Sequence, residues 1–503
     1  MSTDTTLASD TAHRLKTELR IFDCDVHPVP QAGLVSLTPY LPAAWRERFA
    51  RKQAVHDGLN VPIRFKHPNG SVVRQDARTP EGLPPASSPQ HLVADLIEKH
   101  EISGALLNCF EAGGLLSVQA STEESIVLAA AYNDLFIEEW LSVDKRLKYA
   151  AAVPTQDPVA AAAEIRRVGK HPQVCAIFIP LVDLMMGHRY YWPIYEACQE
   201  LDLPVFIHVT GIESIFTGTP TMGPGTFDGY LERYTVIPQI GMVNVNSLIL
   251  SGALERFPRL NFIFAEYGFL WLPSLLFRMD RTWRGLRHET PWVKKPPSEY
   301  LHERFLFTTQ PLDGPDNPLH MQQLIAMLGH DVICFSTDYP HWDNDMPGTT
   351  LRMLSDDARR SVFYDNAAPA CCASETHRDP NMAQETTPTR VGKSSDFEPG
   401  AIALVEINGR EIGIIRLQSG ELRAVLNYCP HKGAPICKGF IGGVWQSSGP
   451  GDLSFDASQD VLVCPWHGFE FSLDSGRELC WNKRSRLRFY PVHEAEGDVF
   501  VSA

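Results

Sequence analysis

The chain has 503 residues, 44% apolar and 21% charged, with a net charge of −15. That is more than one ordinary core holds, so two or three globular domains are expected. The acidic balance argues against nucleic acid or an anionic membrane as a partner, and no apolar run approaches the roughly 20 residues of a bilayer span. Residues 1–20 are polar and lack the apolar stretch of a secretory signal, so a cytoplasmic protein is expected. The 11 cysteines are scattered through a long chain, which favours reduced thiols or metal ligands over a disulfide scaffold.

In chain order, a polar tail over 1–18 precedes eight short apolar runs at 19–25, 102–109, 147–154, 174–180, 203–210, 260–267, 305–310 and 332–338. Most are hydrophobic almost without interruption, the pattern of strands buried on both faces of a parallel sheet. Helical patterns fall between them at 88–100, 123–141, 158–167, 190–201, 248–256, 270–284, 319–328 and 349–364. This alternation predicts an α/β fold, a (β/α)₈ barrel over 19–374. An open doubly wound sheet is the alternative. The largest insertion, about 28–89, is rich in proline and glycine and is expected to lie over the barrel mouth as a lid or substrate-shaping loop. A polar, periodicity-free linker over 375–392 leads to a small all-β domain over 393–503, with β runs near 401–407, 411–417, 422–427, 461–463 and 469–473.

The tail contains Cys429-Pro-His431 and Cys464-Pro-Trp-His467. Two thiolates and two imidazoles are what a Rieske [2Fe–2S] centre needs, thiolates on one iron and imidazoles on the other. A Cys₂His₂ zinc site fits less well, because each pair here mixes Cys with His. From about residue 391 onward the chain resembles a Rieske ferredoxin domain, which implies a [2Fe–2S] cluster on Cys429, His431, Cys464 and His467. Ala434 stands where respiratory Rieske proteins carry a disulfide cysteine, so Cys437 and Cys480 are read as unpaired thiols and the domain as the ferredoxin and oxygenase kind.

In the barrel, chemistry-bearing residues stand at strand ends: Asp25 and His27 at the first, His208 at the fifth, Glu266 at the sixth, Asp338 and His341 at the eighth. Barrel active sites gather at these carboxyl ends, and a D-x-H pair projects both side chains to one face. Each residue singly is more often a structural histidine or a helix cap; four strand ends together point to a metal centre. Asp25-x-His27, His208, Gln310-Pro311 and 336–341 (STDYPH) resemble the amidohydrolase superfamily in its decarboxylase and hydratase-like branch, over roughly 19–373. The resemblance implies a divalent metal on Asp25, His27, His208 and Asp338. It departs from the branch at Asp25, usually His or Glu, and at Glu266, usually His, and the fourth strand offers no lysine for carbamylation.

The carboxylate-rich set Asp25, His27, His208, Glu266, Asp338 and His341 suits iron or manganese as well as zinc. A Rieske centre moves single electrons, so the expectation is a Rieske-coupled non-haem iron monooxygenase. One or two barrel irons would hydroxylate an organic substrate with O₂. His341 and Asp338 are the candidate catalytic groups, and a flavin-dependent or ferredoxin reductase, absent from this chain, the electron donor. The rival is a Zn- or Mn-dependent hydrolase or non-oxidative decarboxylase with a regulatory Rieske domain, and a third reading is a non-catalytic electron carrier. Asn108 and Gln310 are candidates for substrate or supporting contacts, and Trp342, Trp192 and Tyr191 for a pocket lining, with core packing the default. Cys371-Cys372 receive no role, and a homo-oligomer is expected by analogy alone.

Overall fold

The computed structural model describes residues 19–53, 73–74, 77–118, 121–181, 184–209, 230–368, 389–430, 434–449, 452–465, 468–479 and 485–502. Eight parallel strands, β1 (Phe22–Val26), β2 (Gly104–Leu107), β3 (Leu147–Ala152), β4 (Val174–Pro180), β5 (Val205–His208), β6 (Phe262–Ala265), β7 (Phe305–Thr308) and β8 (Ile333–Cys334), pair in sequence order. Apart from half-buried Lys148 every strand residue is buried, which is why the runs carry no polar alternation. The ring closes between β1 and the segment after β8: Cys24 N–H donates to Phe335 O (2.9 Å), His27 N–H to Tyr339 O (2.8 Å) and Asp338 N–H to Asp25 O (3.0 Å). β8 is shorter than the apolar run predicts. Beyond Cys334 two backbone donors go to side chains, Ser336 N–H to Thr309 Oγ1 (3.0 Å) and Thr337 N–H to Asp23 Oδ1 (2.9 Å), which interrupts the ladder.

The helical layer comprises α1 (Ala43–Gln53), α2 (Phe110–Val118), α3 (Thr122–Leu135), α4 (Pro158–Val168), α5 (Trp192–Glu200), α6 (Ile237–Leu250), α7 (Leu272–Leu286), α8 (Pro297–Arg304) and α9 (Pro318–Leu328), with shorter turns between. Starts follow local chemistry: the Asp157 carboxylate accepts from Val159 and Ala160 N–H (3.0 Å each), with Pro158 as first helical residue. α6 begins well before the 248–256 expected. Its Pro238 sits in the first turn, where a missing N–H costs nothing. Its Gly241 lies against the Tyr267 side chain, whose ring a Cβ would approach to 3.0 Å. Of the 28–89 insertion, residues 54–72 lie outside the described residues. Where it re-emerges, Val73 bridges His341 and Arg74 N–H donates to Pro340 O (2.9 Å), which sets these two residues beside the segment after β8.

The C-terminal region is all β. β10 (Ile402–Ile407), β11 (Arg410–Arg416), β12 (Leu422–Leu426) and β16 (Phe489–Tyr490) form one sheet. β13 (Phe440–Gly449), β14 (Asp452–Val463) and β15 (Glu470–Ser472) form a second, and β9 (Thr389–Lys393), β17 (Val492–Ala495) and β18 (Asp498–Val501) a third. Of the β13–β14 hairpin the sequence reading had only 461–463, because its outer half is exposed and no buried face marks it. β9 begins within the stretch read as linker, runs one residue past it and pairs antiparallel with β18. No helix among the described residues is long and apolar enough to cross a membrane.

The chain divides into two compact units: 1–248, 257–275 and 301–376 in the first; 249–256, 276–300 and 377–503 in the second. The second unit thus takes in a segment, 276–300, that the sequence assigns to the barrel. Arg287 holds it there: Nε lies 2.5 Å from Glu470 Oε2, and Nη1 donates to Leu479 O (3.0 Å). Gly468, with φ +67°, sits where a Cβ would meet Gly285 O at 2.6 Å, a contact only glycine permits. Arg287→Ala would leave the buried Glu470 without its cation. It is expected to cost about 1–3 kcal/mol, read as a lower denaturation midpoint of this unit; an unchanged midpoint would refute the contact's importance.

Candidate functional site

β1 presents Asp23, Asp25 and His27 on one face, because strand side chains repeat every two residues. His208 ends β5, Glu266 follows β6, and Asp338 and His341 follow β8. All six predicted ligands meet at the carboxyl end of the barrel. His27 Nε2 lies 2.7 Å from Asp338 Oδ1 and 3.4 Å from Asp25 Oδ1. His208 Nε2 is 3.2 Å from Asp25 Oδ2 and 3.8 Å from Glu266 Oε1. His341 Nδ1 is 2.7 Å from Asp338 Oδ1 and 3.7 Å from Glu266 Oε1. These are the separations of donors that share a cation.

Whether the residues fit a metal is decided by unsatisfied atoms. Both ring nitrogens of His27 are buried without a hydrogen bond, and the buried Asp338 carboxylate faces two imidazoles, with Oδ1 2.7 Å from both His27 Nε2 and His341 Nδ1. Such orphans are costly unless their lone pairs converge on an ion. His208 is oriented by its Nδ1 contact to Val209 O, which turns Nε2 to the centre. Asn108 Nδ2 donates to Asp25 Oδ1 (2.6 Å).

The electrostatics agree. Burial pushes His27 down to about 3, keeping it neutral and ligand-ready. Burial also works against the charged forms of His208 and His341. Asp25 and Glu266 outweigh it and lift His208 to about 9, and Asp338 and Glu266 lift His341 well above the usual imidazole range. Burial raises Asp338, which His341 partly offsets; burial also opposes the Asp25 anion, but His208 and His27 hold that carboxyl below the usual range. In the metal-free cluster, protons on two imidazoles therefore neutralise carboxylates, and a divalent ion would displace them.

Two supporting features were not foreseen. Asp23, buried beside Asp25, accepts from Thr337 N–H (2.9 Å) and Thr337 Oγ1 (2.5 Å) and so ties β1 to the residue before Asp338. The two-residue spacing of Asp23, Asp25 and His27 was its signal. Phe110 stands edge-on to His27, His208 and His341, with ring centroids 5.6, 5.6 and 5.7 Å away; nothing in the sequence marked it. Tyr230 and Tyr234 stack at 5.4 Å, with Trp342 against both, and Tyr234 donates to Asp343. Gln310 donates from Nε2 to Asp343 O (3.3 Å), while its Oε1 is buried and without a partner. Tyr191 and Trp192 pack in the helical layer, the former donating to Leu184 O (3.1 Å) and the latter against Phe257.

In the C-terminal region, Cys429 and Cys464 share one buried cluster with Ile436, Leu462, Phe469 and Phe471. Their loops are pinned by Cys429 N–H to Ala434 O and Cys464 N–H to Phe469 O, both 2.8 Å. His431 and His467 lie outside the described residues, as do Cys371, Cys372 and Cys480. Cys437 is an unpaired, buried thiol, pushed up to about 12 by burial.

Residues 22–369 match the family model described as amidohydrolase. The chain belongs to the amidohydrolase family. Residues 387–491 match the Rieske [2Fe–2S] domain, so this amidohydrolase carries a C-terminal Rieske domain. A gamma-resorcylate decarboxylase of Polaromonas sp. (strain JS666) is 26% identical over 295 residues, covering 54% of this chain and 84% of its own. The ferredoxin subunit of an Escherichia coli 3-phenylpropionate/cinnamic acid dioxygenase is 32% identical over 82 residues, 16% of this chain and 63% of its own. Among solved structures, an amidohydrolase of Mycobacterium avium subsp. paratuberculosis superposes with a TM-score of 0.54 at 19% identity, over 71% of this chain and 99% of its own, a likeness of fold.

These relatives overturn the expected Rieske-coupled iron monooxygenase, and with it the oxidoreductase assignment: the relatives that span most of the barrel are decarboxylases. The physical reason is that mixed carboxylate and imidazole ligands accept several divalent ions. The donor set therefore never specified redox chemistry; only the fused cluster suggested it.

Proposed function

We propose that the barrel catalyses divalent-metal-dependent, non-oxidative decarboxylation of an aromatic carboxylic acid, with manganese the first candidate ion and zinc the second. The observation that carries this is the buried quartet Asp25, His27, His208 and Asp338, whose donor atoms converge, in a chain aligned along most of a gamma-resorcylate decarboxylase. A divalent ion on the quartet would supply Lewis-acid anchorage for the substrate's carboxylate oxygens. Phe110 offers its ring edge to a planar substrate, and the Tyr230, Tyr234 and Trp342 group adds aromatic surface. In the reaction the bond from ring carbon to carboxyl breaks, CO₂ leaves, and the ring carbon takes one proton. Asp338, which burial keeps partly protonated near neutral pH, is the group to deliver it from a carboxylate oxygen. No electron is consumed. The Rieske domain, exchanging electrons with a separate reductase, acts as a redox-responsive regulator.

Aromatic acids with hydroxyls beside the carboxyl, incubated under anaerobic conditions without reductant, are expected to release CO₂ and the corresponding phenol. Chelation should abolish this while leaving the cluster's visible spectrum intact, and Mn(II) should restore it. Turnover that required both O₂ and a reductant would overturn the reading.

A further inference from the structure

A second group of acids, none of them among the six metal-ligating side chains, stands beside the barrel mouth. Asp343 and Asp345 lie in the segment after β8, and Asp313 in the segment after β7. Two hydrogen bonds stitch these segments together: Gln310 Nε2 donates to Asp343 O (3.3 Å), and Leu312 N–H to the Asp345 carboxylate. The acids feel one another. Burial raises Asp313, and Asp343 raises it further; burial lifts Asp345 to about 6, Leu312 N–H opposes this, and Asp343 and Asp313 add to it. None of the three has an ion-pair partner among the described residues. Asp345 Oδ2 is buried without a hydrogen bond, and so is Oε1 of Gln310, a residue with no exposed surface. Aromatic rings close the group. Tyr234 donates to Asp343, Tyr230 stacks on Tyr234 with planes 18° apart, and the Trp342 ring is 6.3 and 6.4 Å from theirs.

We propose that Asp313, Asp343, Asp345 and the Gln310 amide oxygen, beside the Tyr230, Tyr234 and Trp342 rings, make a subsite for an organic ammonium group. The barrel's aromatic acid would then carry an aliphatic amine as well as its carboxylate, which rests on the decarboxylase reading above and names its substrate class. Partly buried carboxylates and an unanswered amide oxygen are costly until a cation completes them. The surroundings select an amine over a metal ion. Magnesium or calcium would require about six or more oxygen ligands, whereas here three rings stand against the carboxylates. Ring faces attract a weakly hydrated organic cation, and its N–H groups answer the Gln310 and Asp345 oxygens. An amine on saturated carbon, like that of lysine, is protonated at neutral pH. The subsite adjoins the metal centre. Asp343 is two residues beyond His341, and burial raises the Tyr230 and Tyr234 hydroxyls with the Glu266 carboxylate adding to it. That adjacency lets one molecule engage the quartet through its carboxylate and the acids through its amine.

The test is calorimetric and kinetic, on the full-length protein loaded with Mn(II). Benzylammonium at neutral pH is expected to bind about tenfold more tightly than benzyl alcohol, its uncharged analogue, the worth of one partly desolvated cation contact. Asp345→Asn should remove that difference, and Asp313→Asn should do the same; Mn(II) content, measured alongside, shows that the barrel of each variant has folded. In the CO₂ assay, 2-hydroxybenzoates with an aminomethyl group at C4 or C5 are compared with their methyl counterparts. The better aminomethyl acid should lead in kcat/KM by about tenfold, and that ratio should fall to about one in Asp345→Asn whatever the absolute turnover. Equal binding of benzylammonium and benzyl alcohol, with the methyl acids still decarboxylated, would overturn the subsite and leave the function standing. Charge-selective binding that persists in both variants would overturn its assignment to these acids. Charge-selective binding lost in both variants, with no hydroxybenzoate decarboxylated, would uphold the subsite and overturn the function.

Discussion

Asp338→Asn is expected to lower decarboxylation by about 10²–10⁴-fold, the range lost with a general acid–base group, and to weaken Mn(II) retention as well. Asp338 lies 2.7 Å from both His27 and His341 and is fully buried. An amide there would retain one acceptor and aim an N–H₂ group at an imidazole nitrogen or at the ion. It would also remove one negative charge from the site. Loss of a supporting partner already costs roughly 10–100-fold in metal affinity, and Asp338 is closer than that. Steady-state CO₂ release and bound Mn(II) should fall together. A variant within about threefold of wild type in both would remove Asp338 from the centre.

Cys464→Ser is expected to abolish the [2Fe–2S] cluster, with loss of its iron and visible bands, while barrel manganese stays. Cys464 is 3% exposed and packs with Cys429, Leu462 and Phe469, surroundings in which a serine hydroxyl supplies no thiolate for iron. If the Rieske domain regulates, anaerobic decarboxylation continues in this variant and loses only its response to redox poise. Wild-type cluster iron would refute the ligand assignment; loss of decarboxylation with manganese bound would refute the regulatory role. Elemental analysis alongside the CO₂ assay separates the two.

The strand run 174–180 coincides with β4, six others contain their strands, and the first falls one residue short of the end of β1, because burial on both faces leaves no ambiguity of period. Exposed β13 and most of β14, and β9 largely within the stretch read as linker, lacked that signal. The six barrel donors were legible because strand ends in a (β/α)₈ barrel converge by topology, and the Rieske pairs because their spacing is distinctive. Their consequences were less legible. Ligand types left the chemistry open, and the fused cluster drew the reading toward O₂ activation until the decarboxylase relatives corrected it.

The sequence alone thus determined the barrel and the all-β tail with its Rieske pattern, since buried parallel strands and cysteine–histidine pairs are local patterns. Only the tertiary structure decided how the donors meet: two overlapping sets sharing His27 and Asp338, Phe110 against three imidazoles, and Asp23 tying β1 to Thr337 across more than 300 residues. Those relations depend on distances across the barrel mouth, set by ring closure and by the φ of Glu266 and Asp338. No periodicity or spacing along the chain encodes them.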